Sequence, residues 1–165
     1  MTVTAGGFAL HAPAAQAATT TRTATVTKAV TKAVKKAVTT RATRQKAKAV
    51  KAVSVARAQV GDPYRYGGTG PGAFDCSGLV QYAWKKAGVK IPRVTHSQYA
   101  RIKKKISWKS LQPGDLLFFR GRGHVGMYVG DGKMVHSPSS GKRVRVDRLS
   151  GWRKSSFAGA VRPGS

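Results

Sequence analysis

The chain has 165 residues, room for one domain with extensions, and carries 31 Lys and Arg against five Asp and no Glu, for a formal net charge of +26. That imbalance says little about fold but predicts attraction to polyanions: nucleic acid, anionic lipid or anionic wall polymers. The lone Cys76 excludes an intramolecular disulfide, no Cys/His cluster has zinc-ligand spacing, and no apolar run reaches the ~20 residues of a membrane-spanning helix.

The chain opens with "MTVTAGGFALHAPAAQAATTT", where a short apolar stretch leads to Ala15-Gln16-Ala17 and fits the small-x-small rule for signal cleavage. Residues 1–17 are read as an export signal truncated at its start, since no positive residue precedes the apolar part. The plain alternative is an Ala-rich disordered terminus.

Residues 18–53 form a basic low-complexity arm that repeats Lys-Ala-Val at about four-residue spacing and contains no acid. On a helix Val26, Val30, Val34 and Val38 make one stripe and Lys28, Lys32 and Lys36 another. Like charges at i and i+4 cost a helix ~0.2–0.5 kcal/mol per pair, and no glutamate offsets them. A mobile arm is therefore expected, becoming helical when a polyanion neutralises it. The arm has no aromatic residue on which bases could stack, so nucleic acid is not expected as a partner. It is either a solvated basic linker or a binder of anionic wall polymers.

Residues 54–165 carry the patterns of a folded domain. "VSVARAQVG" reads as a short helix feeding the Gly/Pro-rich loop "DPYRYGGTGPGAFD". "CSGLVQYAWKKAG" puts Leu79, Val80, Ala83 and Trp84 on one helical face, Lys85 and Lys86 in the last turn, and Gly88 as the stop. "IPRVTHSQYARI" predicts a second short helix capped by Thr95. After "LQPGD" come short β-type runs, "LLFF", "HVGMYVG", "KMVHS", "RVRVD" and "FAGAVR", with turns at Asp131-Gly132 and Ser140-Gly141. Helices followed by an antiparallel sheet make an α+β arrangement.

Cys76 opens a predicted helix, where free N–H groups and the macrodipole favour an anion. An imidazolium beside it lowers a thiol pKa further. The opposing reading is a buried cysteine acting as a small hydrophobe. A nucleophile needs a base in space. His124 begins one strand-like run and His136 ends the next, so a hairpin at Gly130-Asp131-Gly132 brings both to one end of the sheet. There the second ring can orient the first. His96 has no such partner and reads as surface or structural.

"PYRYGGTGPGAFDCSGLVQYAW", "IPRVTHSQ", "LQPGDLLFF" and "GHVGMYVGDGKMVHSP" together resemble the NlpC-type cell-wall peptidases, a papain-like family of peptidoglycan endopeptidases, over about residues 55–162. The resemblance implies a papain-like cysteine peptidase fold with N-terminal helices packed on a small antiparallel sheet. It implies hydrolysis of peptidoglycan stem peptides, most often at the γ-D-glutamyl bond to the diamino acid. Cys76 matches the nucleophile, His124 the base and His136 the third polar residue. Tyr64 matches a tyrosine whose hydroxyl assists the Cys76 N–H at the oxyanion. Asp75 and Ser77 match positions that hold the stem peptide in some members, or else serve as helix cap and tight first turn. Gly67, Gly68 and Gly78 are expected to allow close backbone approach, Asp115 to order its loop, and Trp84, Trp108 and Trp152 to lie in the core or at its rim. The whole reads as a secreted, monomeric wall enzyme needing no cofactor or metal. The rivals are a wall amidase of the same clan and a non-catalytic polyanion binder.

Overall fold

The computed structural model describes residues 1, 2 and 17–165. The expected leader thus lies outside the described residues except for Met1, Thr2 and Ala17. Helix α1 (Ala17–Arg57) runs through two units, residues 1–40 and residues 41–165. In the first unit Val30, Val34 and Val38 are each more than half exposed. In the second, Ala49, Ala52 and Ala56 of the same helix are buried in the main core, and the Gln45 amide donates to the Pro163 carbonyl. Helix growth is cooperative, so turns fixed by packing extend along an Ala-rich sequence even where lysines repel. The segment expected as a mobile arm is therefore helical. Its last turns belong to the folded unit, which begins near Arg41 rather than at residue 54.

Helix α2 (Cys76–Lys86) forms as its pattern predicts: Asp75 caps it, and Leu79, Val80, Ala83 and Trp84 are buried. Gly88, with φ +78, turns the chain away. Helix α3 (Thr95–Arg101) starts differently from expectation. Extended Val94 holds the cap position without a side-chain bond, and Thr95 is the buried first helical residue. What fixes α3 is Gln98, whose amide donates to the carbonyls of Ser77 and Pro92. No described helix is long and apolar enough to cross a membrane.

Six antiparallel strands follow: β1 (Lys105–Ile106), β2 (Leu116–Phe119), β3 (His124–Gly130), β4 (Lys133–His136), β5 (Arg145–Arg148) and β6 (Phe157–Val161). A four-residue helix, α4 (Trp152–Ser155), connects the last two. The sheet order is β1-β6-β2-β3-β4-β5. The two-residue β1, too short to show alternation, pairs with β6. β2 is central and buried throughout. Its Leu116 and Phe118 join the main core under α2 with Val125, Met127 and Val135, while Leu117 and Phe119 meet Met134 on the other face. The β3–β4 hairpin turns through Gly130, Asp131 and Gly132, all with positive φ, as an Asp-Gly turn requires. The fold is α+β, with helices packed against a small antiparallel sheet.

Candidate active site

Cys76 is the first residue of α2, and the chain before it is held tightly. The Asp75 Oδ1 atom accepts the Gly78 N–H at 2.7 Å and the Ser77 hydroxyl at 3.2 Å, and Oδ2 accepts the Gly67 N–H at 3.0 Å. Arg93 forks onto the same carboxylate at 3.0 and 2.5 Å and reaches the Ser77 hydroxyl at 2.7 Å. Burial works against the Asp75 charge, yet Arg93 and the Gly78 N–H hold its carboxyl below the usual carboxylate range. Gly78 permits the closest approach here: a Cβ on it would lie 2.0 Å from the Gly68 carbonyl oxygen. From the sheet side, the buried Ser137 hydroxyl donates to the Phe74 carbonyl at 2.7 Å. This bond ties the loop before Cys76 to the end of β4.

The Cys76 thiol meets β3 beside the first residue of that strand. Burial pushes its pKa above the ordinary value, and the N–H groups of Val125, Ser77 and Cys76 itself oppose that rise. Sequence pattern predicted the reverse, from the helix start and a neighbouring imidazolium. Burial outweighs the donors, and both imidazoles of the β3–β4 hairpin are uncharged. Tyr64 stands at the same place: burial first, then the charges of Cys76 and Asp75, push its hydroxyl pKa up.

His124 and His136 come from the two arms of the hairpin. The β3–β4 register pairs Met127 with Val135 and Tyr128 with Met134. At Gly126 a Cβ would lie 2.6 Å from the Met134 Sδ and 3.4 Å from the His136 Cβ, so a larger residue there would clash first with Met134, and Gly126 shares the face of His136. His124 follows two residues along the same face, because side chains alternate along a strand. Its Nε2 lies 2.8 Å from His136 Nδ1, and His136 Nε2 lies 2.9 Å from Asp147 Oδ2. Burial depresses both rings, His124 to about 3 and His136 to about 4, so both are neutral at neutral pH.

The tautomers follow from the partners. A carboxylate only accepts, so His136 carries its proton on Nε2 and donates to Asp147. Its Nδ1 then accepts from His124 Nε2–H, which leaves the His124 Nδ1 lone pair free as a base. Asp147, on β5, also binds Arg145, at 3.1 Å to Oδ1, and Arg153. Despite burial, His136 and these two cations keep it ionised.

The structure thus gathers Cys76, Tyr64, Asp75 and Ser77 at the head of α2 and joins His124 to His136 at the sheet end. His96 is exposed on α3. Asp147, Arg93 and Arg153 were not singled out from sequence. Asp147 had one available signal, as the only acid in a strand-like run next to "KMVH". Among the described residues, no three His, Cys, Asp or Glu side chains cluster as a metal site. Asp115 binds Arg162 twice at 2.8 Å and accepts the Gln112 N–H, so it orders its loop.

A model of the NlpC/P60 family matches residues 61–161. Murein DD-endopeptidase MepH of Escherichia coli is 46% identical over 123 residues, covering 67% of this chain and 45% of that protein. Probable endopeptidase p60 of Listeria monocytogenes is 42% identical over 107 residues, covering 62% of this chain and 22% of that protein. The chain therefore spans less than half the length of either relative. A crystal structure of an NlpC/P60 family protein from Bacillus cereus matches with a TM-score of 0.64 at 36% identity, covering 69% of this chain and 39% of that one. With more than half of its length matched, and every element from α2 to β6 within the match, the chain belongs to the NlpC/P60 family of papain-like cysteine peptidases.

Proposed function

We propose that the protein is an exported cysteine endopeptidase that hydrolyses peptidoglycan stem peptides at the bond between γ-D-glutamate and the diamino acid. The observation that carries this reading is the hydrogen-bonded series His124–His136–Asp147 beside the Val125 N–H that faces Cys76. His124 Nδ1 takes the thiol proton as the sulfur attacks the scissile carbonyl, forming a C–S bond. The oxyanion rests near the Cys76 N–H and the Tyr64 hydroxyl, where one donor is commonly worth ~3 kcal/mol. Collapse breaks the C–N bond, and His124 returns the proton to the leaving amine. Water then attacks the thioester, its proton passing through His124 to the sulfur, and the acyl half leaves as a carboxylic acid. The raised thiol pKa of Cys76 and the neutral imidazole of His124 favour this general-base route over a preformed ion pair. Asp75 and Ser77 border the stem peptide as a cluster already braced by Arg93.

A second reading concerns the bond. A DD-endopeptidase cuts between two D-configured centres, and the 46% identity to MepH favours a cross-link with D-alanine on the acyl side. Digesting purified peptidoglycan and soluble stem peptides with the full chain, with Cys76→Ala alongside, decides by mass spectrometry. Cleavage after D-glutamate that vanishes in Cys76→Ala is the expected result. Cleavage after D-alanine of a cross-link moves the assignment to the second bond, and a freed lactoyl-linked alanine amine moves it to an amidase. Undigested substrate leaves a polyanion binder.

For α1 we propose contact with anionic wall polymers through its basic surface, which includes Lys35, Lys36, Arg41 and Arg44, all exposed. Exposed charges are screened beyond ~8 Å at physiological ionic strength, so wall binding should weaken steeply as salt is raised. Binding that ignores salt would remove this role.

A further inference from the structure

The turn that joins β2 to β3 has a backbone its sequence does not favour. Phe119 and His124 pair across the two strands. Between them the chain passes through Arg120, Gly121 and Arg122 with φ of 50°, 60° and 74°. Glycine adopts such angles freely, but an arginine there brings its Cβ against the backbone. Residues persist in this region where their surroundings impose it, and they gather at functional sites. Two backbone bonds close the turn: Arg120 N–H donates to the Ser156 carbonyl at 3.0 Å, and Gly123 N–H to the Arg120 carbonyl at 3.1 Å. Both would form equally well with glycine or asparagine at the two strained positions, so they do not account for arginine.

The side chains do. The Arg122 guanidinium lies 4.1 Å from the centre of the Tyr99 ring on α3, and that of Arg120 lies 5.1 Å from the Trp152 ring on α4. Tyr99 is the firmer anchor, half-buried where Trp152 is exposed. Its ring meets Phe118 edge-on at 5.3 Å. It also lies so close to β6 that a Cβ on Gly159 would stand 2.7 Å from its Cε2. Lys105 donates to the Tyr99 carbonyl and stands 4.2 Å from the same ring centre. Arg122 keeps its place although it repels Lys105, whose pKa burial and then Arg122 push down.

His124 follows Arg122 by two residues and begins β3, so the backbone of the proposed base leaves directly from this turn. We infer that Arg122 is a positioning residue for His124: its stack on the fixed Tyr99 ring holds the β2–β3 turn in the left-handed form that sets where the imidazole stands. This inference rests on the peptidase reading and deepens it, with Arg122 acting through the backbone of the base.

The test compares the full chain with Arg122→Asn, Arg122→Lys, Tyr99→Leu and the Arg122→Asn/Tyr99→Leu double variant. Each is assayed on soluble stem peptides and cross-linked peptidoglycan fragments, and each is unfolded in urea. Asparagine accepts a left-handed backbone but cannot stack as a cation. Arg122→Asn should therefore keep or raise the urea midpoint while kcat falls about tenfold and KM stays within about twofold of the wild type. A merely structural residue would not move rate and stability apart in this way. Arg122→Lys, which keeps a cation for the ring, should recover most of the lost rate. In the double variant the two losses should not multiply, because both break one contact. An unchanged kcat in Arg122→Asn, or losses that multiply fully in the double variant, overturns the positioning role and leaves the peptidase standing. A midpoint that falls together with kcat in Arg122→Asn, with no recovery in Arg122→Lys, makes the turn a structural element alone and overturns the role as well. A wild type that cleaves no substrate overturns both readings.

Discussion

Asp75 and Asp147 are each gripped by arginine, and each braces one half of the candidate site, but their partners differ in kind. Asp75 binds two backbone N–H groups, Gly67 and Gly78, besides Ser77 and Arg93. Asp147 binds side chains: His136, Arg145 and Arg153. A carboxylate bonded to backbone fixes where the chain runs, here the loop and first turn that present Cys76. One bonded to a titratable ring fixes where a proton sits, here on His136 Nε2 and, one ring further, His124 Nε2. We therefore propose that Asp75 bears mainly on stability and Asp147 mainly on turnover.

The largest effect expected from breaking this division is on the Asp75 side. Asp75→Ala removes a helix cap and leaves Arg93 half-buried without its counter-charge. Losing the cap costs about 1 kcal/mol, and stranding the arginine adds to it. With Arg93 partly open to solvent, the pair counts for less than a fully buried one, so the total should be about 3 kcal/mol. Urea unfolding should show this as a lower midpoint with an unchanged slope. Asp75→Asn, which keeps an acceptor at the cap, should recover part of the loss. An unchanged midpoint in Asp75→Ala would mean that the cluster merely accompanies the fold.

Asp147→Asn is expected to act on rate. An asparagine amide can donate to His136 Nε2, which would reverse both tautomers and place a proton on the nitrogen that must accept one. A fall of about 100-fold in kcat, equivalent to about 2.7 kcal/mol in barrier, is the expected scale. KM should stay near the wild-type value, because Asp147 acts through the His136 ring. Asp147→Glu, still acceptor-only, should restore part of the rate. Loss of stability with kcat intact would instead place Asp147 with Asp75 as a structural residue.

How much of this was legible in sequence depends on the distance over which each contact acts. Helix α2 was readable to its ends because its apolar face, closing lysines and Gly88 are local signals. Strands β2 to β6 were readable as short β-type runs, with the Asp131-Gly132 turn joining two of them. The pairing of His124 with His136 needed only the hairpin. Asp147 needed the β4–β5 register, which pairs Met134 with Asp147 and His136 with Arg145 and which no local pattern announces. Arg93 reaches Asp75 across 18 positions through a loop. Helix α1 was misjudged for a related reason: its charge pattern argued against a helix, while the burial of Ala49, Ala52 and Ala56 depends on residues far along the chain. The raised Cys76 pKa is likewise set by burial, which helix-start chemistry alone does not reveal.

The smallest effect, a dependence of stability on pH, sharpens the contrast between the two sides. His124 and His136 are held neutral at about 3 and about 4, well below the ~6.5 of an unfolded histidine. Their folded pKa values are depressed, so between these limits the unfolded chain binds more protons than the folded one. The stability this represents is fully present above about pH 6.5 and is lost as pH falls toward about 4 and then about 3. Each ring can contribute up to about 1 kcal/mol per pH unit in that window. Asp75 is ionised in both states between pH 5 and 7 and adds nothing to the slope there. Urea midpoints measured at pH 7, 6 and 5 should therefore fall steadily in the wild type. The fall should keep its slope in Asp75→Asn, although the whole curve lies lower, and should be about halved in His136→Gln. Parallel curves for wild type and His136→Gln would show that the buried imidazole pair is not what acid attacks.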